Sequence, residues 1–68
     1  MKGLRTRNHA DAVNAACEAL TATGGDGERY IKRTAYGYLV MQRPPTNATR
    51  WWVVTRRGRT ATVTEAAR

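Results

Sequence analysis

The chain has 68 residues, with twelve Lys or Arg against five Asp or Glu, for a net charge of +7. That length allows one domain of marginal stability, since so short a chain buries only about 60% of its unfolded surface. Cys17 is the only cysteine, which excludes an internal disulfide and a Cys-rich metal site and suits a reducing cytosol. No stretch approaches the ~18 apolar residues of a membrane span. The segment after residue 7 carries Asp, Asn and Glu rather than the apolar run of a secretory signal. The expectation is a cytoplasmic protein without membrane contact.

Residues 1–7 form a basic leader (Lys2, Arg5, Arg7), expected to pack loosely ahead of a single small domain over 8–68. Asn8 is a good helix N-cap, and Asp11 three residues on completes a near capping box. Ala10, Val13, Ala16, Cys17 and Leu20 follow helical spacing and predict an apolar stripe. Ala12, Ala15, Ala16 and Ala19 allow close approach to a sheet. Thr23-Gly24-Gly25 stops the helix, which is therefore placed at 9–22.

Beyond the Gly24–Gly27 loop the period changes to two, and Tyr, Ile, Val, Trp and Thr become frequent. Four strands are predicted, at 28–33, 37–43, 50–56 and 59–64. A helix over 28–40 is the rival for the first of them, because apolar pairs recur there every four residues. Pro44-Pro45-Thr46-Asn47 breaks the chain between strands, and Arg57-Gly58 suits a two-residue hairpin turn. If both turns close hairpins, the register puts Leu39, Met41, Trp52, Val54, Ala61 and Val63 on one face, for the helix stripe to cover. The opposite face then holds Tyr38, Val40, Gln42, Trp51, Val53 and a row of threonines. The fold class is α+β: one N-terminal helix packed on a three- to four-stranded antiparallel sheet (αβββ or αββββ).

Charge is sorted along the chain. Residues 8–28 carry four acids (Asp11, Glu18, Asp26, Glu28) and no Lys or Arg, whereas residues 29–64 carry eight bases and no acid. Such segregation orients a charged partner. Ten of the twelve bases are Arg, which grips phosphate and carboxylate with a planar fork and stacks on aromatic rings. An Arg-rich, Ala-rich composition also arises in GC-rich genomes.

The residue set for catalysis is thin. His9 and Cys17 are eight residues apart, about 12 Å along a helix, too far for a dyad. Cys17 lies on the apolar stripe as a small hydrophobe, and His9 is expected to face solvent or join the cap. No phosphate loop, zinc spacing or dinucleotide fingerprint appears. Asn47-Ala48-Thr49 matches a glycosylation acceptor by chance. No enzymatic activity, cofactor, metal or small-molecule substrate is expected.

The binding candidates are basic and aromatic. The predicted register sets Arg56 opposite Arg59, with Arg57 at the tip. Like charges so opposed destabilise a hairpin unless an anion joins them, although exposed tips are often simply solvated. Arg43 and Arg50 flank the Pro-Pro loop, and Arg29, Lys32 and Arg33 lie on or beside the first strand. Trp51, Tyr38 and Tyr36 are candidates for base stacking or for a protein interface. The order α-β-β-β partly resembles double-stranded-RNA-binding domains. Those domains add a second helix that Thr64–Arg68 is too short to supply, and no family motif is assigned.

Three functions fit. The first is a non-enzymatic module that binds a nucleic acid or nucleoprotein through an Arg-rich, aromatic sheet surface. The second is a small inhibitor that docks on an acidic protein patch, of the kind phages and mobile elements encode against host defence, CRISPR systems included. The third is a self-associating structural protein, with a homodimer as its simplest form.

Overall fold

The computed structural model describes residues 4–46 and 50–67. The fold is α+β, with one helix and a five-stranded antiparallel sheet. In chain order the elements are β1 (Leu4–Thr6), α1 (His9–Ala22), β2 (Gly27–Thr34), β3 (Gly37–Met41), β4 (Arg50–Arg57) and β5 (Thr60–Ala67). The sheet order is β1-β3-β2-β4-β5. β1 and β2 both pair antiparallel to β3, so they run parallel to each other, and α1 joins them in a split β-α-β unit.

The helix occupies its predicted span. Asn8 accepts from the Asp11 backbone N–H at 2.9 Å, and its own amide donates to the Asp11 carboxylate at 3.1 Å. At the other end the Gly25 N–H reaches the Leu20 carbonyl at 2.7 Å, with Gly24 at φ +113°. The buried side of the helix is Ala12, Ala15, Ala16 and Leu20, with Val13 and Cys17 at its flanks. The expected stripe is therefore turned by part of a turn, and Ala10 is exposed. Large groups on the sheet dictate this: Ile31, Val40, Trp52 and Val54 fill the layer, and only alanines leave room for them.

Two expectations about strand order are corrected. Residues 4–6 do not pack loosely but pair with β3 as β1, with Leu4 opposite Val40. The β3–β4 hairpin does not form either. β2 lies between those strands, with Ile31 opposite Val40 on one side and Trp52 on the other. Ile31 is fully buried there, the gain that favours a central β2. β3 and β4 consequently run parallel, and the link 42–49 must step across β2. Pro44 and Pro45 carry no N–H with which to continue a ladder, and Pro45 is fully buried within this link. The rival helix over 28–40 is not formed.

Inserting β2 changes which face β3 presents. Val40 and Tyr38 turn toward α1, while Leu39 and Met41 point away, the reverse of the hairpin-based expectation. Trp52 and Val54 face α1 as expected. The β4–β5 register also moves. Arg57 pairs with Thr60 and Val54 with Val63, so the turn residues are Gly58 and Arg59. Gly58 sits at φ +58°, and a two-residue turn with glycine first needs no other residue in the left-handed region. The partner shift is two residues, so sides are preserved. Ala61 and Val63 lie on the α1 side but are exposed, because α1 packs over β1 to β4.

Candidate functional site

The predicted site residues divide between two ends of the sheet. At the β4–β5 turn the expected Arg56–Arg59 opposition does not exist: Arg56 pairs with Ala61. Its guanidinium turns back onto the helix, donating to the Cys17 carbonyl at 3.2 Å and to the Thr21 hydroxyl. Its Nε donates to the Gly58 carbonyl at 2.9 Å. Asp26 reinforces the same turn by accepting the Gly58 N–H at 2.7 Å. Arg29 is half-buried and donates to the Glu28 carbonyl at 3.0 Å. Arg57 is exposed and donates to the Arg56 carbonyl at 3.3 Å, and Arg59 is exposed in the turn. This end therefore mixes bases with Asp26 and Glu28, and Arg56 serves as a clamp between helix and hairpin.

The opposite end lies at the β2–β3 turn and is built from three separated segments. One row across the sheet runs Arg5, Leu39, Lys32, Trp51, Ala66, with side chains directed away from α1. The next row holds Thr6, Tyr38 and Arg33 on the α1 side, and continuing the β2–β4 register brings in Arg50. Arg7 follows β1 directly. Arg5, Arg7, Arg33 and Arg50 are exposed, and Tyr36 in the turn is 88% exposed. Gly37, at φ +143°, lets the chain pass tightly over β1: a Cβ there would fall on the Thr6 carbonyl oxygen. This contact brings the Arg5–Arg7 segment to the turn that carries Arg33 and Tyr36.

Arg50 is partly committed. Its Nε donates to Glu65 at 2.5 Å, and its guanidinium lies 5.6 Å from the Trp52 ring, within cation–π range. The bond to Glu65, with the carboxylate's charge behind it, holds Arg50 above its ordinary pKa. Arg43 does not join Arg50. It follows the end of β3 while Arg50 begins the parallel β4, so the two stand toward opposite ends of the sheet rather than flanking one rim.

The aromatics divide by face as well. Tyr38, expected on the exposed side, packs under the helix start with His9 at 5.5 Å and Trp52 at 5.7 Å. His9 is accordingly not solvent-facing: its ring lies 4.7 Å from Trp52, and its Nε2 is buried without a partner among the described residues. Trp51 faces away from α1 and stacks on Tyr30 at 5.9 Å and 29°. Its indole N–H is buried without a partner among the described residues. Burial, aided by a hydrogen bond to Glu28 and the charge of that group, pushes the Tyr30 phenol above its ordinary pKa.

Arg5, Arg7 and Tyr36 thus belong to this end, and Leu4–Thr6 of the basic leader is part of the sheet. The one sequence signal for the strand was the Leu4-Arg5-Thr6 alternation, and three residues are too few to read as a strand. Asn47-Ala48-Thr49 and Lys2 lie outside the described residues. Among the described residues no group of three or more His, Cys, Asp or Glu could hold a metal ion, and no helix is long and apolar enough to cross a membrane. Comparison with protein-family models, curated proteins and solved structures finds no match.

Proposed function

We propose that the chain is a non-enzymatic binding module that engages a nucleic acid, free or within a nucleoprotein, at the β2–β3-turn end of its sheet. The observation that carries this is the convergence of exposed bases from three segments, Arg5/Arg7, Arg33 and Arg50, around the protruding ring of Tyr36. Guanidinium groups supply phosphate contacts, and an exposed tyrosine supplies a stacking surface. Trp51 and Lys32, one row in, extend the same end. Of the acids in residues 8–28, Glu18, Asp26 and Glu28 lie toward the β4–β5-turn end, whereas Asp11, at the helix start, lies at the proposed end.

The test is fluorescence anisotropy with labelled single-stranded and duplex oligonucleotides at low and near-physiological salt. Affinity is expected to fall steeply with salt, as counterion release requires. Arg5/Arg7/Arg33→Glu should abolish binding, and Arg57/Arg59→Glu should weaken it less. Equal loss from both variants, or binding by neither variant nor parent, rejects the assignment.

Docking on an acidic protein, the inhibitor reading, draws on the same exposed Tyr36 beside Arg33, since Tyr and Arg are frequent interface hot spots. Under that reading a lysate pull-down returns one defined protein complex resistant to nuclease, and Tyr36→Ala disrupts it more than a change of salt does.

A further inference from the structure

The two edges of the sheet are guarded differently. β1 is three residues long, with Arg5 on it and Arg7 beside it. Short length and basic side chains are common protections of an edge. β5 is eight residues long and reads Thr-Ala-Thr-Val-Thr-Glu-Ala-Ala, without Pro, Gly, Lys or Arg. Its single charge, Glu65, is bonded to Arg50. Side chains from Thr60 to Glu65 are exposed whichever face they occupy, and Val63 is 40% exposed.

The backbone pattern shows which groups face outward. A two-residue hairpin closes on a hydrogen-bonded pair, here Arg57 and Thr60. Bonded and non-bonded pairs alternate from there. Thr62 and Thr64 therefore bond to β4, while Ala61, Val63 and Glu65 direct their N–H and C=O groups to the free edge.

We propose that β5 pairs antiparallel with β5 of a second copy of this chain, about a two-fold axis at Val63. In that register Val63 meets Val63, and Ala61 meets Glu65, so every outward-directed residue faces another. Thr62 meets Thr64 on the side away from α1, a favourable cross-strand pair. Moving the two-fold axis two residues toward the C-terminus, a four-residue slide of one strand past the other, sets Glu65 against Glu65, which like-charge repulsion disfavours. The self-complementarity of β5 is what selects a second copy as the occupant. The joined sheet is bounded on both sides by the guarded β1, and each small core gains a partner.

Sedimentation velocity on the full chain, from low micromolar to near-millimolar concentration, tests this. The mass should rise from 7.6 kDa toward twice that value. Val63→Pro removes an outward donor without touching a β4–β5 bond. It should raise the dissociation constant about thirtyfold, the loss of two interchain hydrogen bonds of usual net strength. Val63→Lys and Val63→Glu should each be monomeric alone and dimerise when mixed. A parent chain that stays at 7.6 kDa throughout overturns the proposal. So does a dimer that persists in both charged variants while circular dichroism shows them folded.

Discussion

The two ends of this sheet carry similar numbers of bases and use them differently. At the β4–β5 turn, Arg56 is bonded to the helix and to its own turn, and Asp26 holds the Gly58 N–H. At the β2–β3 turn, Arg5, Arg7 and Arg33 are exposed beside Tyr36. At the first end Arg56 converts its charge into tertiary structure while Arg57 and Arg59 stay exposed, and at the second Arg50 is bonded to Glu65 while Arg5, Arg7 and Arg33 are presented. A count of arginines along the chain cannot tell these apart. What separates them is whether backbone carbonyls and hydroxyls are within reach.

The largest expected effect is at Gly37. Gly37→Ala places a methyl on the Thr6 carbonyl and forces a left-handed φ, so urea denaturation should show a loss of about 2 kcal/mol or more. Because the clash separates β1 from β3, anion binding should fall even where the variant remains folded. Retained stability would mean that β1 is not held at this turn.

Arg56→Ala against Arg33→Ala divides the two ends most directly. The former leaves the Cys17 and Gly58 carbonyls without this donor and should cost about 1–2 kcal/mol of stability. The latter removes an exposed side chain and should stay within about 0.5 kcal/mol of the parent. Oligonucleotide affinity should show the opposite ranking. If Arg56→Ala unfolds no earlier than Arg33→Ala in parallel melts, the clamp is not structural.

Asp26→Ala should be milder, about 0.5–1.5 kcal/mol for one lost hydrogen bond to the Gly58 N–H. Amide exchange at Gly58 should accelerate, and a protection factor equal to the parent's would contradict the contact.

The smallest effect is spectroscopic. Tyr30 should ionise above the ordinary phenol value of about 10, first because it is desolvated and then because of Glu28. A raised folded pKa means that the neutral phenol is favoured in the fold. This contribution is full below the unfolded pKa and is lost as pH rises through the folded one. Glu28→Gln should bring the ultraviolet titration back toward the ordinary value, and an unmoved titration would remove Glu28 as a cause.

Much of the fold was legible because its signals are local. Helix α1 was written in the Asn8 cap, the alanine spacing and the Gly24-Gly25 stop. β2, β4 and β5 were written in period-two patterning, and a two-residue turn between β4 and β5 in Gly58. The site was less legible. Of the residues expected to bind, Tyr38 went into the core and Arg56 onto the helix, while Arg5 and Arg7 entered from a segment set apart as a leader. Each of these outcomes depends on which strand lies beside which.

By itself, then, the sequence determined the element types, most of their bounds and the segregation of acids from bases, since hydrogen-bonding caps and side-chain periodicity act over a few residues. Strand order was decided only in three dimensions. Ile31 gains full burial by lying between Val40 and Trp52, a long-range preference that no local pattern encodes. Placing β2 in the centre reversed the faces of β3 and parted Arg43 from Arg50. The addition of β1 then brought Arg5 and Arg7 to the end that carries Arg33 and Arg50.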